Sequence, residues 1–259
     1  MEAVIARGVK VTYLASGHGP KNVILLHGWG SNPWVYEYFM HAAPRDQYRI
    51  LALDFFGDSD RPWGGYNVSG FVDEVRDVMD ALGMRTATLG GHSLGGITAQ
   101  LFALRYLDRL DKLILIGTGA TTKGHGKLTA MFERLTARKD HRRTLEDLIG
   151  GGYGTLPSPD TFQRYIDHAM KGPIDGLIEA MSEGMKYDFT PLLPFITVPT
   201  LIVHGDRDTG RLSIHAEALK KGIPKSTLVR LDCGHYPHEE LPGEFNSIAL
   251  KFLFSARVN

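Results

Sequence analysis

Gly90-Gly91-His92-Ser93-Leu94-Gly95-Gly96 is the segment whose residue types and spacing most directly suggest chemistry. It follows the apolar run Thr86-Ala87-Thr88-Leu89 and precedes a helical pattern from Ile97 to Leu104. A serine between a strand and a helix, with glycine two residues before and two after, is a nucleophile elbow, a turn that lifts the hydroxyl clear of the sheet. The glycines are needed because the flanking backbones come too close for side chains. The helix that follows aims amide donors and its positive end at the site, which suits a developing oxyanion. A serine hydroxyl is a weak nucleophile until a base takes its proton, and the base must be held by a third group. Val203-His204-Gly205-Asp206-Arg207-Asp208 ends a later apolar run with two acids, and Cys233-Gly234-His235 follows Leu228-Val229-Arg230-Leu231. Nucleophile, acid and base thus come in the order Ser, Asp, His.

Positioning such groups requires a rigid scaffold. Short, nearly continuous apolar runs recur at residues 22–26, 48–53, 86–89, 112–116 and 200–203, each followed by a glycine-containing turn and a helical pattern. Such runs are expected of parallel strands covered on both faces, and their alternation with helices indicates βαβ units. Val9 to Leu14 alternates as a half-exposed strand does, and Ser16-Gly17-His18-Gly19-Pro20 reads as the turn into the first buried strand, so the sheet should begin with an antiparallel pair. In residues 71–82 the apolar positions 71, 72, 75, 78, 79 and 82 form one helical stripe that Gly83 stops, and residues 244–254 repeat the pattern. From about 120 to 195 buried strands give way to helical patterns and breakers. Ser158-Pro159 reads as a helix start there, Gly150-Gly151-Gly152 as a permissive joint, and Pro191, Pro194 and Pro199 lead back to the sheet. The expected architecture is α/β: a mostly parallel sheet of about eight strands, formed by residues 1–119 and 196–259. A helical cap, residues 120–195, enters after the sixth strand and sits over the C-terminal strand edge, where open α/β sheets bind ligands.

Composition narrows the function. The 259 residues carry 29 Lys+Arg against 29 Asp+Glu, which leaves no cationic excess for a nucleic acid. Cys233 is the single cysteine, so neither an intramolecular disulfide nor a cysteine metal cluster is expected. The longest uncharged run, Thr86 to Leu104, contains four glycines, a histidine, a serine and a glutamine, unlike a bilayer helix. Met1 to Arg7 has no basic-then-apolar leader, which points to a cytoplasmic protein.

The chain resembles the α/β-hydrolase-fold family over essentially its whole length. His27-Gly28-Trp29-Gly30 is similar to that family's oxyanion loop and Gly91-His92-Ser93-Leu94-Gly95 to its elbow. Gly205-Asp206-Arg207-Asp208 matches the G-x-x-D acid turn, and Gly234-His235 with Glu240 and Pro242 the G-H-x-x-x-x-E-x-P ending. The resemblance implies Ser93 as nucleophile, His235 as base, Asp208 as the acid that orients it, and the backbone N–H groups of Trp29 and Leu94 as the oxyanion hole. One departure is the loop Asp54-Phe55-Phe56-Gly57-Asp58-Ser59, two residues shorter than the family's D-x-x-G-x-G-x-S, which touches one wall of the pocket.

Each neighbouring group also has a plainer reading. Asp206 is the competing acid, but the G-x-x-D spacing selects Asp208 and leaves Asp206 to bond local amides. His204 on its apolar strand reads as structural, Cys233 as a packing residue, and Asp54 as an acceptor that fixes its loop. His238 could pair with His235 on a metal, but no third ligand stands at helical spacing. Arg138-Lys139-His141-Arg142-Arg143 reads as a solvated helix face. Within residues 120–195 the apolar side chains, among them Met131, Phe132, Tyr153, Phe162, Tyr165, Met181 and Met185, mostly pack the cap, and collectively suggest a hydrophobic pocket. Phe132, Phe162 and Tyr236 are the expected substrate contacts.

The expected activity is a cofactor-free, metal-free serine esterase or lactonase acting on a small molecule. A carbon–carbon bond hydrolase of vinylogous diketones would use the same triad, although such relatives more often show Asn where His92 stands. The same fold would also suit a perhydrolase or a non-catalytic ligand receptor. Epoxide hydrolases and dehalogenases want an Asp nucleophile, and hydroxynitrile lyases a Lys after the histidine, where this chain has Tyr236.

Overall fold

The computed structural model describes residues 1–57, 61, 65–125 and 127–255. Eight strands form one sheet in the order β1-β2-β4-β3-β5-β6-β7-β8. They are β1 (Glu2–Ala6), β2 (Val9–Ser16), β3 (Lys21–Leu26), β4 (Tyr48–Leu53), β5 (Ala87–His92), β6 (Leu110–Ile116), β7 (Thr200–Gly205) and β8 (Ser226–Leu231). The pairs β1–β2 and β2–β4 are antiparallel and all others parallel, so the sheet does start antiparallel, but β2 pairs with β1 and β4 and not, as the turn at residues 16–20 suggested, with the first buried strand β3. β1 itself is not foreshadowed by the sequence pattern. It is an edge strand whose side chains are mostly exposed, so it lacks the apolar run by which the buried strands declare themselves.

The central strands are buried on both faces because helices cover both. These are α1 (Glu37–Ala42), α2 (Val68–Ala81), α3 (Leu94–Arg105), α8 (Ser213–Gly222), the short α9 (Pro237–Glu240) and α10 (Pro242–Phe254). α2 starts three residues before the apolar stripe, where the Asn67 side chain accepts from the Gly70 N–H, a capping role. Gly83 then ends it with φ +68°.

Between β6 and β7 run four further helices: α4 (Leu128–Thr136), α5 (His141–Gly150), α6 (Pro159–Ala169) and α7 (Ile174–Gly184). Ser158 caps α6 by accepting from the Thr161 N–H, with Pro159 at the first helical position. The inserted segment closes at its base, where Thr121 bridges Asp188 and the Phe189 N–H donates to the Ala120 carbonyl at 2.8 Å. Residues 190–195 then form a 3-10 turn against α8, with Leu193 buried over Gly222. Among the described residues no helix is long and apolar enough to cross a membrane.

Candidate active site

The elbow geometry follows from crowding. A Cβ on Gly91 would lie 2.2 Å from the Gly95 carbonyl oxygen, and one on Gly95 would lie 2.2 Å from that of Leu26. Neither position admits a side chain. Ser93 between them takes φ +51° and ψ −112°, a strained conformation for a residue with a side chain. It is held there by its own N–H, which donates to the Ile116 carbonyl at 2.9 Å, and by the Thr118 hydroxyl, which donates to its carbonyl at 2.8 Å. α3 begins at the next residue, so the Leu94 N–H belongs to a first turn whose amides have no intrahelical acceptor. The loop 27–30 presses on the elbow from β3, with a Cβ on Gly28 falling 3.2 Å from the Ser93 Cβ. Trp29 in that loop reaches across to the inserted helices, its Nε1–H donating to the Leu177 carbonyl at 2.7 Å.

His235 and Asp208 come from the turns after β8 and β7. The His235 Nδ1–H donates to Asp208 Oδ2 at 2.5 Å, so Nδ1 is the ring nitrogen that the acid engages. The other Asp208 oxygen accepts from the N–H groups of Gly210 (2.8 Å) and Arg211 (2.9 Å). Burial works against the charge on Asp208, but His235 and those two amides outweigh it and hold the carboxyl below its ordinary range. Local amides are thus bound by Asp208. Asp206, expected to bind them, instead accepts from Arg230 of β8 at 2.6 Å.

The histidine loop is fastened from two sides. His92 Nε2–H donates to the His235 carbonyl at 2.9 Å, while burial first, and then the neighbouring His235 and His238 rings, push His92 well below the usual imidazole range. From the inserted segment, the Gly152 carbonyl accepts the His235 N–H at 2.8 Å. The Glu240 carboxylate accepts from the N–H groups of Gly154, Thr155 and Gly234 at 2.9–3.1 Å, clamping the turn after α5 onto the same loop. Glu239 receives the hydroxyls of Tyr153 and of Tyr165, the latter at 2.7 Å. Burial pushes the Glu239 carboxyl up to about 7, partly offset by those hydroxyls and Arg164, with Glu240 adding to the rise. On the far side, His168 of α6 donates Nε2–H to buried Asp54 at 3.0 Å, an acceptor that also takes the Gly57 N–H at 2.9 Å. None of these bonds to the inserted helices has a local sequence signature.

Ser93, His235 and Asp208 share one cavity of about 350 Å³ with Gly28, Trp29, Leu94 and Tyr236. Its apolar lining comes from Ile97 of the core and from Leu128, Met131, Leu148, Ile149, Met181 and Met185 of the inserted segment. Phe132 and Phe162 do not line it, which corrects the expectation for both. Met131 takes the inward position on α4 and its neighbour Phe132 is turned away by the helical step, while Phe162 packs beside Gly150. Tyr236 does line it, stacked on Tyr153 with ring centroids 4.0 Å apart.

The remaining candidates are accounted for by packing. His204 is buried in β7, and desolvation lowers its pKa. His238 stacks on Tyr36 and touches His92. Cys233 is buried, which pushes its thiol up to about 12. Arg142 and Arg143 pair with Asp167 and Asp147, and Arg138 with Asp175, so the basic stretch ties inserted helices together at the surface. Asp58 and Ser59 of the shortened loop lie outside the described residues.

With this geometry in place, comparison with known proteins is decisive for the family. Residues 21–242 match the family described as the alpha/beta hydrolase fold. The chain belongs to that family. The AB hydrolase superfamily protein YisY of Bacillus subtilis is 33% identical, over 91% of this chain and 92% of that protein. The 2-hydroxy-6-oxo-6-phenylhexa-2,4-dienoate hydrolase of Comamonas testosteroni is 30% identical, over 94% of this chain and 91% of that enzyme. Among solved structures, the enol-lactonase of Burkholderia xenovorans superposes with a TM-score of 0.88 over 98% of this α/β-hydrolase and 100% of that chain. At 21% identity that likeness concerns the fold.

Proposed function

We propose that this α/β-hydrolase is a serine hydrolase that cleaves a small, mainly hydrophobic carboxylic ester or lactone through an acyl-enzyme on Ser93. The observation that carries the reading is a strained serine and a histidine tied to Asp208 at 2.5 Å, facing one cavity. Ser93 Oγ attacks the carbonyl carbon while His235 Nε2 takes its proton. The N–H groups of Trp29 and Leu94 receive the oxyanion, which they stabilise more than the ground-state carbonyl. His235 returns the proton to the departing alcohol, then takes one from the water that attacks the acyl-enzyme and frees the acid. Asp208 stays ionised throughout and stabilises the imidazolium. Residues 120–195 act as a cap over the strand edge, and Met131, Met181, Met185 and Tyr236 shape the acyl site. No metal or organic cofactor enters these steps.

A second reading has a specific observation behind it. The Comamonas testosteroni relative is named for hydrolysis of a dienoate, so carbon–carbon cleavage by the same triad is the competing reaction. Two experiments separate these readings from a non-catalytic receptor and from each other. A fluorophosphonate probe should label Ser93, and Ser93→Ala should lose about 10⁴–10⁶ in turnover of p-nitrophenyl esters, with chelator making no difference. Activity within tenfold of wild type in Ser93→Ala rules out the acyl-enzyme. Faster turnover of a vinylogous diketone than of any ester, measured side by side, moves the assignment to the carbon–carbon reaction.

A further inference from the structure

Arg211 follows Asp208 by three residues and lines the cavity with Asp208 and His235. Only 3% of it is exposed. Among the described residues its guanidinium makes one hydrogen bond, from Nη1 to the Thr121 carbonyl at 2.7 Å, and buried Nε has no acceptor. Among the described residues no carboxylate forms an ion pair with it, whereas buried Arg61 has Glu74 and half-buried Arg76 has Asp77. The nearest charge, Asp208, has already committed both oxygens to His235 and to backbone amides. His125 beside it is held at about 3, by burial first and then by Arg211 itself, and so is neutral. Burial draws the guanidinium down to about 10, against the pull of Asp208, which still leaves it charged at neutral pH.

The same end of the cavity carries Lys127, whose Nζ donates to the Thr209 hydroxyl at 2.7 Å and which, among the described residues, has no carboxylate partner. Of the other charges in the lining, Arg134 is neutralised by Asp147 at 2.7 Å. The wall formed by His125, Lys127 and residues 209–211 therefore carries two cations without a carboxylate ion pair among the described residues, at one end of a cavity whose remaining charges are paired or committed. A buried charge is retained at a cost unless something completes its hydrogen bonds, and a guanidinium is best completed by the paired oxygens of a carboxylate.

We propose that Arg211 anchors a free carboxylate on the substrate, so that the ester or lactone cleaved at Ser93 is an acid as well, such as the half-ester of a short dicarboxylic acid. This rests on the serine-hydrolase reading above. Lys127 contributes charge from the rim, and the apolar lining between Arg211 and Ser93 receives the connecting methylenes.

The test compares p-nitrophenyl hydrogen glutarate with p-nitrophenyl valerate, which have similar chains and differ in the terminal charge. The wild type should favour the glutarate ester in kcat/KM by roughly tenfold to a hundredfold, mostly through KM, the size expected of a charge-assisted pair. Arg211→Gln should bring that ratio to near one, and Arg211→Lys should restore part of it. A wild-type ratio near one, or the same ratio in Arg211→Gln, overturns the proposal. So does an equal loss on both esters with a lowered melting temperature, which is what a purely structural arginine gives. Calorimetric titration of glutarate into the wild type, with valeramide as the neutral control, needs neither turnover nor a folded variant: glutarate alone should bind, and no binding overturns the proposal. Because that titration is independent of Ser93, failure of the carboxylate anchor and failure of the hydrolase reading are told apart.

Discussion

The sheet core and the four inserted helices are held by different means. Around the elbow, position is set by backbone against backbone: Gly91 and Gly95 sit where a Cβ would fall 2.2 Å from a carbonyl oxygen. The inserted helices are joined to the core mainly through side chains, His168 to Asp54, Tyr165 to Glu239, and the Glu240 carboxylate to the turn after α5, beside the backbone bond from His235 to Gly152. Backbone collisions tolerate no drift, so the reacting groups are rigid. Side-chain links can be exchanged one at a time, so on the proposed function the cavity lining from the inserted helices can change without moving Ser93, Asp208 and His235.

The sharpest test of this contrast is a pair of glycine substitutions. Gly95→Ala should cost about 3 kcal/mol in denaturant melts, since the Leu26–His27 backbone must move. Gly150→Ala at the end of α5 meets only side chains, the Phe162 ring at 3.2 Å and Leu156 at 3.7 Å, and should stay within about 1 kcal/mol of wild type. Comparable losses at the two sites would erase the distinction between core and insertion. Next in size, His168→Leu should cost about 1–3 kcal/mol, because buried Asp54 loses a donor. Limited proteolysis should then cut first within residues 128–184, and an unchanged pattern would show that this link does not hold the insertion.

On specificity, Met181→Ala and Met131→Ala should each alter the preference between short and long acyl esters by about tenfold, the worth of a methylene or two in an apolar pocket. Phe132→Ala and Phe162→Ala should lower the melting temperature and leave that preference alone. The smallest effect concerns Glu239. Its folded-state pKa is raised from 4.5 to about 7, so between those values the folded protein binds the proton more tightly than the unfolded chain. Stability must therefore fall as pH rises from about 4.5 to 7. Glu239→Gln removes this slope, so its stability relative to wild type should rise between pH 5 and 8. Tyr153, Tyr165, Arg164 and Glu240 face the same carboxyl and limit the size of the change. Parallel stability curves for the two proteins would contradict the assignment.

The same division decides what could be read from the sequence. The elbow, the acid turn and the buried strands are local patterns, in which a glycine spacing or an apolar run already contains the physical constraint. Ser158 and Pro159 announce α6 for the same reason. The inward face of α4 is not legible, since Leu128, Met131, Phe132 and Leu135 are all apolar and helix period cannot decide between adjacent residues 131 and 132. Packing against α7 and the core decides it. Arg211 carries no signal either, because an arginine after an acid turn reads as solvent-facing until a fold buries it. Nor could any pattern foretell that the Gly152 carbonyl, at a joint chosen for flexibility, would accept a bond from a residue 83 positions away.

That last bond turns one amide into a gauge. The His235 N–H can exchange with solvent deuterium only when its 2.8 Å bond to Gly152 opens. Its exchange rate therefore reports how often residues 150–155 part from the histidine loop. If product leaves the cavity by the same opening, the opening rate, which the exchange rate reaches at high pH where every opening exchanges, sets an upper bound on turnover.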